Sequence, residues 1–310
     1  MIMGYDSFEV SAPGKLMILG EHAVLHGSQA LVCAVNKRLK LTFTPRDDTQ
    51  IFLQSDLGKY NSELKEIKIC QPFHFVLTTI NQFSDRLTAG FNLHIESEFP
   101  DTVGLGSSSA VTVATTAGLY TLLNEPHNPD VVFSESLKTV RYIQGTGSGA
   151  DVAASVFGGI IAYRYNPLEI LKLETVCPLT VVYSGKKTPT TQVIGQVSSL
   201  RNKFPGLCDS IYDAMNKSCT IGLNAIKSEN WTHLGELLNI NQGLMDALGV
   251  CDVSLAKIVY EMRDDPGIMG SKISGAGLGD CVIGLGSIKM SGFPFPILPV
   301  EIDLDGVKIE

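Results

Sequence analysis

Gly104-Leu105-Gly106-Ser107-Ser108-Ser109-Ala110 sets glycines and hydroxyls directly ahead of the small and apolar residues 111–123. Such a sequence lays bare backbone against an anion and opens a helix immediately behind it. Glycine removes the Cβ that blocks close approach, and the first N–H groups of a helix have no intrahelical partner and point back at the loop. Two readings follow from this stretch alone: a phosphate cradle, or an ordinary capped helix start. Its surroundings decide between them.

Upstream the chain reads as strands. Residues 8–12 form a short one broken by Pro13-Gly14, residues 16–19 and 30–35 are apolar, and residues 39–44 and 91–95 alternate as half-buried antiparallel strands do. Downstream, helix-period apolar positions run through residues 111–123, 129–144, 190–200, 206–227, 231–248 and 253–263. Residues 158–165 and 179–183 read as strands, and the alternating tail, 300–304, as an edge strand. The fold class expected is α+β in two halves divided near residues 160–178, with the glycine loops lining the cleft between them. The domains expected are residues 1–170, joined by a strand near 298–306, and residues 171–310.

With 310 residues, 44% hydrophobic and 18% charged, this is an ordinary globular composition in one large or two closely packed domains. A net charge of −8 argues against nucleic acid or an anionic membrane as the main partner. Seven scattered cysteines with no CxxC pair exclude zinc-site spacing and a disulfide framework, which points to a reducing cytoplasm. Asp6 and Glu9 sit where a signal peptide needs an apolar core, and no uncharged run reaches the ~18 residues of a membrane span.

Three further clusters carry chemistry. Ala12-Pro13-Gly14-Lys15 projects an ammonium from a rigid bend, suited to a transferring phosphoryl group or an alkoxide, and Gly20-Glu21-His22 adds a carboxylate and an imidazole; the plain alternative is a polar surface turn. Gly145-Thr146-Gly147-Ser148-Gly149 precedes Asp151, either a dipole-stabilised carboxylate at a helix start or a general base toward a substrate hydroxyl. Ser274-Gly275-Ala276-Gly277-Leu278-Gly279-Asp280-Cys281 either wraps a phosphate or makes a tight turn between strands. Competing signatures are missing: there is no GxxxxGK[ST], no kinase HRD or DFG, no HExxH and no nucleophile elbow, and residues 104–109 lack the βαβ context and acidic residue of a dinucleotide site. His74, His127 and His233 are isolated and read as structural or solvated.

In order and spacing, residues 13–27, 104–110 and 275–281 resemble the three motifs of the GHMP kinase superfamily, and within it most resemble the mevalonate kinases. The resemblance spans nearly the whole chain. It implies an N-terminal ribosomal-protein-S5-like half and a C-terminal ferredoxin-like half with the active site in the cleft. It implies ATP-dependent phosphorylation of mevalonate to 5-phosphomevalonate, in isoprenoid precursor synthesis, with ATP and Mg2+ as cofactors and a homodimer as the assembly. Carried over by position, Asp151 is the catalytic base and Lys15 steadies the transferred phosphoryl group. Glu21, His22 and Thr191 face the substrates, and Gly104, Leu105, Gly106, Ser107, Ser108, Ser109, Gly275, Ala276 and Gly277 bind ATP. Ser108 is the implied metal ligand.

Two positions depart from the family pattern. Val140 stands where mevalonate kinases carry a magnesium-binding Glu, leaving Gln144, water or another carboxylate to fill the gap. Leu278 and Asp280 replace glycines, and repulsion from ATP phosphates predicts that Asp280 points away from them. Phosphomevalonate kinase is the nearest rival. A phosphorylated acceptor needs extra cations, and Lys37, Arg38, Lys186 and Lys187 are the candidates; two or more of them lining the cleft would favour the rival. A sugar kinase and a catalytically inactive sensor are weaker alternatives, the latter because Lys15 and Asp151 are both present.

Overall fold

The structure is a computed structural model and describes residues 7–100, 103–145 and 147–310; Asp6 and Thr146 of the motifs above lie outside them. In chain order the elements begin β1 (Phe8–Leu19), β2 (Ala30–Pro45), β3 (Gln50–Ser55), β4 (Gly58–Glu63), α1 (His74–Phe83), β5 (Phe91–Ser97), α2 (Ser107–Leu122), α3 (Pro129–Gln144), α4 (Ala150–Phe157), β6 (Ile160–Arg164) and β7 (Glu169–Leu173). They continue with β8 (Leu179–Tyr183), α5 (Thr190–Lys203), α6 (Pro205–Lys227), α7 (Trp231–Ala247), α8 (Val253–Arg263), β9 (Ile268–Ser274), β10 (Cys281–Gly286), β11 (Ile297–Leu298) and β12 (Lys308–Ile309). None of these helices is long and apolar enough to cross a membrane.

The first sheet runs β12-β1-β2-β5-β3-β4, with β6 also pairing β2 and β7 pairing β6. Its ladders are antiparallel except β3 against β5. Pro13-Gly14 does not end β1: the register shifts there and the strand continues, so Lys15 sits inside a sheet, not at its frayed end. Helices α1 to α4 cover one face, with α2 central. Its side chains are buried on nearly every side, so its sequence has no polar stripe.

The second sheet, β11-β8-β10-β9, is antiparallel and carries α5 to α8. A shared apolar core joins the halves, with Leu16 and Ile18 of β1 and Cys33 of β2 packed with Val181 of β8 and Ile283 of β10. The molecule is thus a two-domain α+β fold, as the sequence led us to expect. The tail differs from expectation. Residues 300–304 form no strand; Ile302 makes a single bridge to Val35, and the pairing strand is the later β12. Arg38 fastens this return, donating to the Asp303 carboxylate at 2.5 Å and to the Gly306 carbonyl at 2.6 Å.

Candidate active site

Three helix N-termini open onto one cavity of about 1200 Å³: α2, α4 and α5. None has a capping side chain at the residue before it, these being Gly106, Gly149 and Pro189; at α4 the Ser148 hydroxyl accepts the Ala150 N–H at 3.2 Å. The serines of residues 107–109 therefore stand in the first turn of α2 and do not cap it. That removes the plain reading of the loop, because uncapped N–H groups beside a cavity are partners for an anion.

Lys15 lies over this loop. Its backbone N–H donates to the Leu105 carbonyl at 2.8 Å, and a Cβ on Gly106, whose φ is +79°, would stand 2.8 Å from Lys15 Cγ. Gly106 is thus needed both for its backbone angle and for the lysine's passage. Lys15 Nζ reaches Asp151 Oδ2 at 3.3 Å; the lysine side chain is 8% exposed and the aspartate 41%. Burial pulls the ammonium toward losing its proton, but Asp151, with help from Asp280, outweighs burial and holds the Lys15 pKa above its ordinary value. Asp151 is fixed from behind. Arg141 Nε donates to Gly147 O at 3.1 Å, Tyr163 Oη to Ser148 O at 2.5 Å, and Ser155 Oγ to Pro13 O at 3.0 Å, tying α4 to β1.

His22 lines the cavity and donates from Nε2 to the Ala276 carbonyl at 2.8 Å, leaving Nδ1 as the lone-pair nitrogen of a neutral ring. Burial pushes its pKa down. Thr191, in the first turn of α5, is an exposed residue of the same wall; Ser107, Ser108, Gly275 and Ala276 line it half-buried, and Ser109 lines it buried. Val140 and Gln144 of α3 also line it, and valine offers a cation nothing.

Four expectations are corrected. Leu105 turns into the shared core, where it is 2% exposed; only its carbonyl serves the site. Gly277 backs onto Val250, which a Cβ would meet at 2.5 Å, and does not line the cavity. Glu21 is on the wall, but its oxygens are held by Lys272 Nζ and by Asn241 Nδ2, the latter at 3.2 Å, so it anchors the wall instead of facing substrate. Asp280 does not point away. It lines the cavity beside Gly104, whose Cβ would lie 2.7 Å from the Asp280 carboxyl carbon. Burial raises its pKa, opposed by Lys15 and Lys187.

The sequence reading missed the other end of the cavity. Leu57 in the β3–β4 turn, Pro72, Phe73 and Phe75 at the start of α1, and Ile95 of β5 make an apolar wall, with His74 among them. The available signal was an aromatic run where a helix would ordinarily begin on Ser or Asp: Phe73 precedes α1 and caps nothing.

Uncapped helices gathered at one cavity collect phosphates, and a carboxylate held against an ammonium beside them takes the proton of an attacking hydroxyl. The class so defined is an ATP-dependent kinase with an alcohol acceptor. Comparison with known proteins agrees. The model of the GHMP kinases N terminal domain matches residues 74–159 and that of the GHMP kinases C terminal domain residues 223–289. The mevalonate kinase of Pyrococcus furiosus is 31% identical, over 97% of this chain and 97% of its own length. That of Archaeoglobus fulgidus is 32% identical, over 97% and 99%. The crystal structure of the Methanococcus jannaschii mevalonate kinase superposes with a TM-score of 0.80 at 24% identity, covering 95% of this chain and 98% of that one. The chain belongs to the GHMP kinases.

Proposed function

We propose that this chain transfers the γ-phosphoryl group of ATP to the 5-hydroxyl of mevalonate, giving 5-phosphomevalonate. The observation that carries the chemistry is the Lys15–Asp151 pair at 3.3 Å, joining the first turn of α4 to the loop before α2 on the cavity wall. Asp151, more than a third exposed, accepts the hydroxyl proton; Lys15, kept charged, meets the negative charge that moves onto the transferred group. The N–H groups at residues 106–108 hold the ATP phosphates, that of Ser109 being spent on the Gly106 carbonyl, and Gly275 and Ala276 close over them. The neutral His22 offers Nδ1 to an acceptor hydroxyl, and Thr191 lies toward the γ-phosphate. The apolar wall of Leu57, Phe73 and Phe75 suits the base of the nucleotide. In this reading residues 1–170, joined by the returning tail, form one domain and supply the phosphate loop, Lys15, His22 and Asp151, and residues 171–310 form the other and supply Thr191, Gly275 and Ala276.

Magnesium fits the donor set. Among the described residues no group of three or more His, Cys, Asp or Glu side chains gathers around a metal position. A cation here takes few protein ligands and most of its shell from phosphate and water, which is magnesium's habit. Ser108 would supply a hydroxyl, and the ion, when bound, neutralises phosphate charge.

The acceptor read here carries no phosphate of its own. Of Lys37, Arg38, Lys186 and Lys187, only Lys187 lines the cavity; Arg38 is committed to the tail and Lys186 pairs with Asp252. A coupled ADP-release assay with mevalonate, phosphomevalonate and a panel of sugars tests the reading. Turnover with mevalonate is expected, and no turnover with any acceptor would sink it. Asp151→Ala is expected to cut turnover by about a hundredfold or more while nucleotide binding persists; undiminished turnover removes Asp151 from the mechanism.

A further inference from the structure

Asp280 is 7% exposed, yet its Oδ1 has no hydrogen-bond partner. A buried carboxylate oxygen without a donor is costly, and native structures rarely keep one without a use. Its backbone is held from both sides: the N–H donates to the Lys186 carbonyl at 2.8 Å and the carbonyl accepts from Ser184 N–H at 3.0 Å. Its φ of +63° lies in the region that glycine enters freely and other side chains enter at a cost. Fixed this way, the carboxyl is pressed against Gly104, at the head of the phosphate loop, with Oδ2 3.4 Å from where Gly275 would carry a Cβ.

The other carboxylates on the cavity wall are committed or distant. Asp151 pairs with Lys15 and Glu21 with Lys272. Glu98 accepts from Arg38 N–H and pairs with Lys40, and Asp56 belongs to the β3–β4 turn at the apolar end. Of these, Asp280 is the one whose unclaimed oxygen is buried, beside the loop. An anion so placed repels a triphosphate unless a cation stands between them, and a divalent ion bridging carboxylate and phosphate turns that repulsion into attraction.

Resting on the nucleotide reading above, we propose that Asp280 is the carboxylate through which this chain holds a divalent cation against the phosphate loop, a duty that Val140 on the same wall has no atom to perform. Asp280 supplies one anionic oxygen and Ser108 a hydroxyl; nucleotide and water complete the shell.

Manganese is the probe. Free Mn2+ is titrated by electron paramagnetic resonance into the protein saturated with a non-hydrolysable ATP analogue, for the wild type, Asp280→Asn and Asp280→Gly. Both variants suit a positive φ, and glycine removes the strain, so the fold is kept in at least one. Mn2+ affinity is expected to fall about tenfold or more in either variant, the scale at which even indirect partners of a metal act. Binding of the analogue in chelator should hold or tighten, since one negative charge has gone. Unchanged Mn2+ affinity in a folded variant overturns the proposal and leaves Asp280 as a packing group or a protonated donor to phosphate. A wild type that binds no analogue sinks the nucleotide reading instead, so the two failures are told apart.

Discussion

His22 has a φ of +58°, is 6% exposed and spends its Nε2 proton on the Ala276 carbonyl. Burial disfavours its imidazolium and lowers its pKa below 6.5, against the smaller upward pulls of that hydrogen bond and of Glu21. Lys15 is shifted the other way, because for it the neighbouring carboxylates overcome burial. For His22 the sign of the linkage is fixed: as pH falls, the unfolded chain takes up its proton first. Its contribution is therefore present above pH 6.5 and is lost as the pH drops below that toward the lower folded value. His26 and His74 are lowered by burial too and add in the same sense. The urea midpoint of the wild type is expected to fall on acidification below pH 6.5, and that of His22→Gln, which keeps an amide donor for Ala276, to fall less steeply. Equal slopes would show that His22 is not a buried neutral ring.

Helix α4 shows how an element aims a residue. Only eight residues long, it hangs between the Gly149 turn and Pro13 of β1, where Ser155 Oγ donates to the carbonyl at 3.0 Å. Ser155→Ala leaves that buried carbonyl without its donor, so a loss of about 1 kcal/mol in unfolding free energy is expected. Asp151 stands one turn earlier on the same helix. The turnover rate should fall with nucleotide affinity unchanged, which steady-state kinetics beside analogue titration would check; intact turnover would mean that α4 is aimed by its glycine turn alone. Elements like this were readable because glycine and charge mark them: Lys15, Asp151 and the loop at residues 104–109 announce themselves by residue type. The amphipathic α3, α6, α7 and α8 were readable from their period. Helix α1 and the β3–β4 hairpin were not, since α1 starts on aromatics and the hairpin strands mix polar residues on both faces. The aim of Asp280 was unreadable for another reason. It is set by Lys186 and Ser184, nearly a hundred residues away in the chain, and the repulsion argument against it left out a bridging cation.

At the scale of the molecule, the two halves are locked by a pair that local sequence does not announce. Glu21 follows β1 and Lys272 lies in β9, 251 residues apart, and their side chains are 2% and 0% exposed. Burial pulls the Lys272 pKa down while Glu21 pulls it up. A pair this deep adds little net stability over apolar packing, but removing one partner strands the other charge, at a typical cost of about 3–5 kcal/mol. Glu21→Leu and Lys272→Met are each expected to lose that much in urea unfolding, and the double variant to regain most of it, a coupling that a double-mutant cycle measures directly. The same double variant separates two roles for Glu21. If it is an anchor, the refastened molecule keeps its KM for the acceptor, because nothing that touched substrate has gone. If KM rises steeply although stability has returned, Glu21 reaches the acceptor during turnover and its hold on Lys272 is exchanged for that contact when substrate enters.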